Sequence, residues 1–172
     1  DSKNIYCAGN GGALYHYTGQ SWQKIETGTK TQVTDIWGID NLKYQTIYCT
    51  ISSFFEPGDK KIIKISNSKI DSISLNNNKL LYSTWTDNEN YLYVCGSCVY
   101  ENKKGTWTKI NLPQIATNSI RGNSINDIFV VGDLGIAENY NGKNWKIYSD
   151  IYDAGYGSID VKGNVVAITG QR

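Results

Sequence analysis

Asn4-Ile5-Tyr6-Cys7-Ala8-Gly9, followed after a short turn by Tyr17-Thr18-Gly19-Gln20-Ser21-Trp22-Gln23-Lys24-Ile25, is a pattern that this chain repeats. It returns as Tyr91-Leu92-Tyr93-Val94-Cys95-Gly96 with Gly105-Thr106-Trp107-Thr108-Lys109-Ile110. It returns again as Asp127-Ile128-Phe129-Val130-Val131-Gly132 with Tyr140-Asn141-Gly142-Lys143-Asn144-Trp145-Lys146-Ile147. Each copy reads as a strand, a glycine turn, a strand, a tight turn and a further strand, because aromatic and β-branched residues favour a pleated surface and glycine punctuates it. Asn141-Gly142 is a strong hairpin signal, since both residues tolerate positive φ.

Aligning the copies defines a unit of four strands, a to d. The chain enters at strand b of a first unit, with strands at 4–9, 12–18 and 21–27. The second unit has strands at 33–38, 46–51, 60–66 and 69–75. The third has 80–86, 91–96, 98–102 and 106–111, and the fourth 117–121, 127–132, 135–140 and 145–149. A fifth unit offers 157–161 and 164–169. The b strands start at Ile5, Ile47, Leu92, Ile128 and Val165, roughly every forty residues. Repeat boundaries fall near 1–28, 29–76, 77–112, 113–151 and 152–172. Four antiparallel strands at this period describe the blade of a β-propeller, whose blades bury their faces against one another. The expected fold is all-β, with about four blades in a single domain. Because the first and last units are partial, the expectation is a fragment of a larger ring, or a ring completed by another chain. The alternative is a four-bladed closure. Unpaired edges of this kind promote self-association.

Composition narrows function by exclusion. The 172 residues carry 17 basic and 16 acidic side chains, which lacks the dense cationic surface of a nucleic-acid groove. Two of the basic residues are arginines, Arg121 and Arg172. No apolar run reaches the ~20 residues of a membrane span. No signal peptide or glycosylation sequon is present, and an extracellular or periplasmic bacterial location is the expectation.

Cys7 and Cys49 each follow an Ile-Tyr pair and read as small buried residues. Cys95 and Cys98 form a lone Cys-x-x-Cys. It reads as packing or a local disulfide rather than half a zinc site, which would want two further ligands. His16 is the one histidine; between Tyr15 and Tyr17 it reads as a satisfied strand residue, so no nucleophile–base pair is assembled. No metal or cofactor is expected. Asp35, Asp87, Asp127 and Glu138 could serve a glycosidase, yet each is placed by the strand assignment at a strand edge or turn, where acids are common.

The recurring Trp22, Trp107 and Trp145 read as packing anchors between blades, with Trp145→Ala expected to lower the melting temperature sharply. The sites of contact are expected where the repeat breaks: Phe54 and Phe55 on the long turn of the second unit, and Trp37, Trp85 and Arg121 on strands a.

The block Tyr-Thr/Asn-Gly-x-x-Trp, with its preceding Ile-Tyr/Phe-x-x-Gly strand, resembles the Asp-box (BNR) repeats of sialidase-type propellers. Asp35-Ile36-Trp37-Gly38, Asn4 to Gly9, Gly12 to Gly19 and Trp22 resemble still more closely the propellers grouped with photosystem II stability/assembly factors. The resemblance implies a propeller and leaves function open, because propellers host catalysts, lectins and scaffolds alike. The Asp-box is degenerate: Thr18, Lys104 and Asn141 stand where its Asp would be. Sialidases grip a carboxylate with three arginines, which two cannot supply. The function expected is therefore a non-catalytic binding or assembly module with a protein or carbohydrate partner. The alternative is a propeller-type glycoside hydrolase or lyase drawing catalytic residues partly from outside the chain.

Overall fold

The structure is a computed structural model that describes residues 3–41, 44–53, 58–75, 79–113, 115–148 and 155–171, with the side chains of 41 and 44 excepted. The chain divides into two compact units, Asp1–Leu81 and Tyr82–Arg172. The first unit holds β1 (Ile5–Ala8), β2 (Leu14–Tyr17) and β3 (Trp22–Lys24), then β4 (Val33–Asn41), β5 (Tyr44–Ile51), β6 (Lys61–Ser66) and β7 (Lys69–Ile73). β8 (Leu81–Trp85) starts at the boundary, and β9 (Tyr91–Gly96), β10 (Tyr100–Lys103) and β11 (Thr106–Lys109) follow in the second unit. That unit continues with β12 (Thr117–Ser124), β13 (Asp127–Gly132), β14 (Ala137–Tyr140), β15 (Trp145–Ile147), β16 (Gly155–Lys162) and β17 (Val165–Gln171).

The strands form five antiparallel sheets in sequence order: β1-β2-β3, β4-β5-β6-β7, β8-β9-β10-β11, β12-β13-β14-β15 and β16-β17. Every strand expected from the repeat is present. One equivalence shifts. Gly9, Gly96, Gly132 and Gly170 share a place at the end of strand b, so Val166, not Val165, corresponds to Ile5. Side chains alternate along a strand, and a slip of one residue exchanges its faces. The packing agrees with the glycine register: Val165 is 67% exposed, whereas Ile168 packs into an apolar cluster.

Register explains which residues meet. The pairings Tyr6↔His16↔Gln23 and Ala8↔Leu14 lie on one face of the first sheet, and Ile5↔Tyr17↔Trp22 and Cys7↔Tyr15↔Lys24 on the other. The face bearing Tyr6 and Leu14 packs, with Ile25, against Ile47, Cys49, Ile63 and Ile65 of the second sheet. The same rule operates in the second unit. There Phe129, Val131, Ala137 and Tyr148 of the fourth sheet pack against Ile159, Val161 and Ile168 of the β16–β17 pair. Even the backbone repeats: Ile25 N–H donates to Leu14 C=O and Tyr148 N–H to Ala137 C=O, each at 2.9 Å.

The turns follow their local chemistry, with one difference from expectation. The loop 141–144 has four residues, so Gly142 alone takes positive φ, at 86°. Asn141 acts through its side chain instead, its Oδ1 accepting from Lys143 N–H and Asn144 N–H at 3.0 Å each. The two-residue turns with both φ positive are Asn67-Ser68, between β6 and β7, and Lys104-Gly105, between β10 and β11.

Candidate functional site

In the first unit the packed layer between the first two sheets opens into a groove of about 450 Å³. Ile25, Ile47, Ile65 and Ile70 give it an apolar floor. Tyr6, His16, Gln23 and Gln45 line it on the polar side, with the Asn67-Ser68 turn at its rim. The sheet pleat explains the first three: Tyr6, His16 and Gln23 are neighbours across β1, β2 and β3 and project from one face. The Tyr6 and His16 rings stack with centroids 4.3 Å apart and planes 4° from parallel.

A directed hydrogen-bond chain holds this wall. His16 Nε2–H donates to Asn4 Oδ1 at 2.5 Å, and Asn4 Nδ2–H donates to Gln45 Oε1. In this orientation the amide NH₂ of Gln45 is the terminal donor and His16 Nδ1 the terminal acceptor. Lys24, at the edge of the groove, is ion-paired with Glu26 at 2.7 Å, both largely exposed. The groove thus offers hydrogen bonds and apolar contact with little net charge.

The residues singled out from sequence are distributed differently. Phe54 and Phe55 lie outside the described residues. Trp37 is half-buried in β4, cross-strand from Tyr48. Trp85 is 1% exposed, so its ring is core and presents no contact surface. It lies against Gly122 of the fourth sheet, where an added Cβ would come within 3.1 Å of the indole. Arg121 is half-buried and serves structure: Nη1 donates to Ser83 Oγ (2.9 Å), Thr84 C=O (3.2 Å) and Ile120 C=O (2.7 Å). These bonds lace β12 to β8.

The three repeated tryptophans are shallower than anchors should be. Trp22 is 51% exposed and leans on Tyr17, with centroids 5.4 Å apart. Trp107 and Trp145 are half-buried, the latter beside Tyr140. The physical reason is their place on the outermost strand d, where a ring is covered only as far as a neighbouring sheet extends.

Of the acids, Asp87 accepts from Ile125 N–H at 2.9 Å, and Asp127 from Asn123 at 2.7 Å and Asn139 at 3.1 Å. Both serve turns. Glu138, in contrast to its expected place at an edge or turn, is mid-sheet and 1% exposed. Neither carboxylate oxygen has a hydrogen-bond partner, and burial pushes its pKa up to about 7. It borders an apolar cavity of about 280 Å³ lined also by Phe129, Ala137, Tyr148, Ile159 and Ile168. Register places the Glu138 side chain with Val130 and Ile147 on the opposite face.

The four cysteines are unbridged; Cys49 and Cys95 are buried, Cys98 is half-buried, and Cys7 is exposed, contrary to its expected burial. Burial pushes the Cys49 thiol up to about 12, which keeps it protonated and inert. Among the described residues, no three His, Cys, Asp or Glu side chains gather as a metal site would require. No helix among them is long and apolar enough to cross a membrane.

Solved structures identify the architecture. YCF48, solved bound to a D1 peptide, superimposes with a TM-score of 0.73 at 13% identity, over 99% of this chain and 58% of that one. The fold is a β-propeller. YCF48 from Cyanidioschyzon merolae gives a TM-score of 0.69 at 8% identity, covering 98% of this chain and 61% of its own. The computationally designed Ika8 protein gives 0.72 at 11% identity, covering 99% and 53%. The propeller here comprises about four blades and spans less than two thirds of the length of each of these proteins. At such identities the likeness is one of fold, and it agrees with the resemblance carried by the repeat motif. No protein-family model and no curated protein sequence matches the chain.

His16 was legible as a hydrogen-bonded strand histidine. Its membership of a groove was not, because Asn4, just before β1, meets Gln45 of β5 in another sheet. The only sequence signal was the face shared by Tyr6, His16 and Gln23, which appears once the strands are paired.

Proposed function

We propose that this propeller is a non-catalytic binding module that captures a segment of a partner protein in the groove of its first unit. The observation that carries the reading is the Asn4–His16–Gln45 chain on one wall of a 450 Å³ groove with an isoleucine floor. A peptide group supplies both an N–H and a C=O. Those are the complements of the acceptor at His16 Nδ1 and the donor at Gln45. An apolar side chain of the segment would occupy the floor, where burial contributes about 25 cal/mol per Å². The binding of a D1 peptide by YCF48, a protein of the same fold, supports the class of partner. The balanced charge favours a neutral segment over a nucleic acid or polyanion.

The reading is tested by selecting binders from a displayed library of random peptides and measuring them by calorimetry, beside a glycan array. Tyr6→Ala and Gln45→Ala should each weaken a selected peptide by about tenfold or more, as loss of an interface contact does. Leu134→Ala, at a side chain 72% exposed and remote in sequence, should leave its affinity unchanged. Binders insensitive to Tyr6 and Gln45, or saturable glycan binding with no peptide selected, would sink it.

A further inference from the structure

Strand register shows what stands in the place of the groove's floor elsewhere in the chain. The recurring tryptophan has a fixed cross-strand partner: Tyr17↔Trp22, Asn102↔Trp107 and Tyr140↔Trp145. The equivalent pair in the second sheet is Ile65↔Ile70. Strand b fixes the equivalence, because Ile65 pairs with Ile47 as Tyr140 pairs with Ile128. The backbone keeps the same frame: Ser52 N–H donates to Gln32 C=O at 3.1 Å, and Asp133 N–H to Ala116 C=O at 2.9 Å. The second sheet therefore carries isoleucine twice where the fourth carries tyrosine and tryptophan. In the fourth sheet those two rings lie 5.4 Å apart, tilted by 32°, and both are half-buried. In the second sheet Ile65 is 7% and Ile70 39% exposed, and both border the groove. The space that an indole takes up over strand d of the fourth sheet is open over strand d of the second.

We infer that the groove is a vacated tryptophan seat, and that the segment it captures carries a tryptophan whose indole docks over Ile70. The inference rests on the capture reading above and names the side chain that reading left open. Three features select an indole. The room lies at Ile70, in the place of the tryptophan, whereas Ile65, in the place of the tyrosine, is buried. The facing wall is aromatic, and a further ring can join the stacked Tyr6–His16 pair in offset or edge-to-face contact. The indole also brings one N–H donor and no acceptor, which complements His16 Nδ1. Leucine or phenylalanine in the same seat would take water from that nitrogen and return no hydrogen bond. Lys24, the one charged side chain among the lining residues, is already paired with Glu26, so the seat asks for a neutral ring.

The test titrates N-acetyl-tryptophanamide into ¹⁵N-labelled protein, beside N-acetyl-leucinamide. The tryptophan probe should saturably shift the amide resonances of Tyr6, Gln45 and Ile70. The leucine probe should bind about tenfold or more weakly, the scale on which an apolar pocket discriminates. Ile70→Trp restores the residue that the other copies carry, and it should abolish binding of the probe while the melting temperature holds. Ile70→Phe, a smaller filling, should weaken the probe and keeps the test valid if the larger variant fails to fold. Equal binding of the two probes overturns the inference, as does tryptophan binding that survives both substitutions. Selected peptides that depend on Tyr6 and Gln45 but contain no tryptophan would overturn the inference and leave capture standing. A groove that takes the tryptophan probe while no peptide is selected would overturn capture and leave the seat standing.

Discussion

Glu138→Gln should stabilise the protein by up to about 3 kcal/mol at about pH 8 and by almost nothing at about pH 4. Glu138 is fully buried, neither oxygen has a hydrogen-bond partner, and burial raises its pKa from 4.5 to about 7. Between those two values the folded protein holds a proton that the unfolded chain has released. Stability therefore falls as pH rises from the unfolded pKa through the folded one, and levels off above it. Glutamine has the same shape and a comparable unmet hydrogen-bond demand but cannot ionise, so the difference between the two proteins isolates the ionisation. Urea unfolding of both proteins across this range checks it. A difference that does not change with pH would show that the carboxyl finds a partner in solution. The position adds a comparison within the chain: strand pairing puts Tyr15 and Tyr100 where the fourth sheet has Glu138.

The second large effect is expected at Trp85. Trp85→Ala should cost about 3–5 kcal/mol, the range for emptying a buried aromatic site, and depress the melting temperature accordingly. The indole is the largest fully buried side chain described, and it lies against Gly122, where an added Cβ would come within 3.1 Å of it. The ring of Tyr93 is 6.3 Å away, tilted by 39°. Trp22→Ala, at the repeated position, should by contrast change stability by less than about 0.5 kcal/mol, as surface substitutions do. Trp145→Ala, half-buried beside Tyr140, should fall between them. Equal losses at Trp22 and Trp85 would restore the repeated tryptophans as anchors.

These expectations invert what the repeat alone implies about its tryptophans. The repetition of Trp22, Trp107 and Trp145 identifies a structural position but not its depth. Depth depends on whether another sheet lies over strand d, and that is a property of neighbours. Trp85 is not part of the recurring motif, yet strand a is where the third and fourth sheets are laced together by Arg121 and Ser83. The turn at 141–144 shows the same limit at short range. Asn-Gly marked a hairpin correctly, while loop length decided that asparagine would act through its side chain.

The groove residues divide in the same way. Tyr6, His16 and Gln23 share a face by strand alternation alone, so their association is a matter of local register. Asn4 meets Gln45 only because the first two sheets pack on each other, and the groove exists only where that packing ends.

The strands, their order in each sheet and the four-strand unit were all determined by the sequence, because alternation and turn chemistry act over a few residues. Which tryptophan is buried, where a carboxyl loses its water and where the packed layer opens were decided by the tertiary structure. Those properties depend on the surface that a neighbouring sheet supplies, and for that the period of a repeat holds no information.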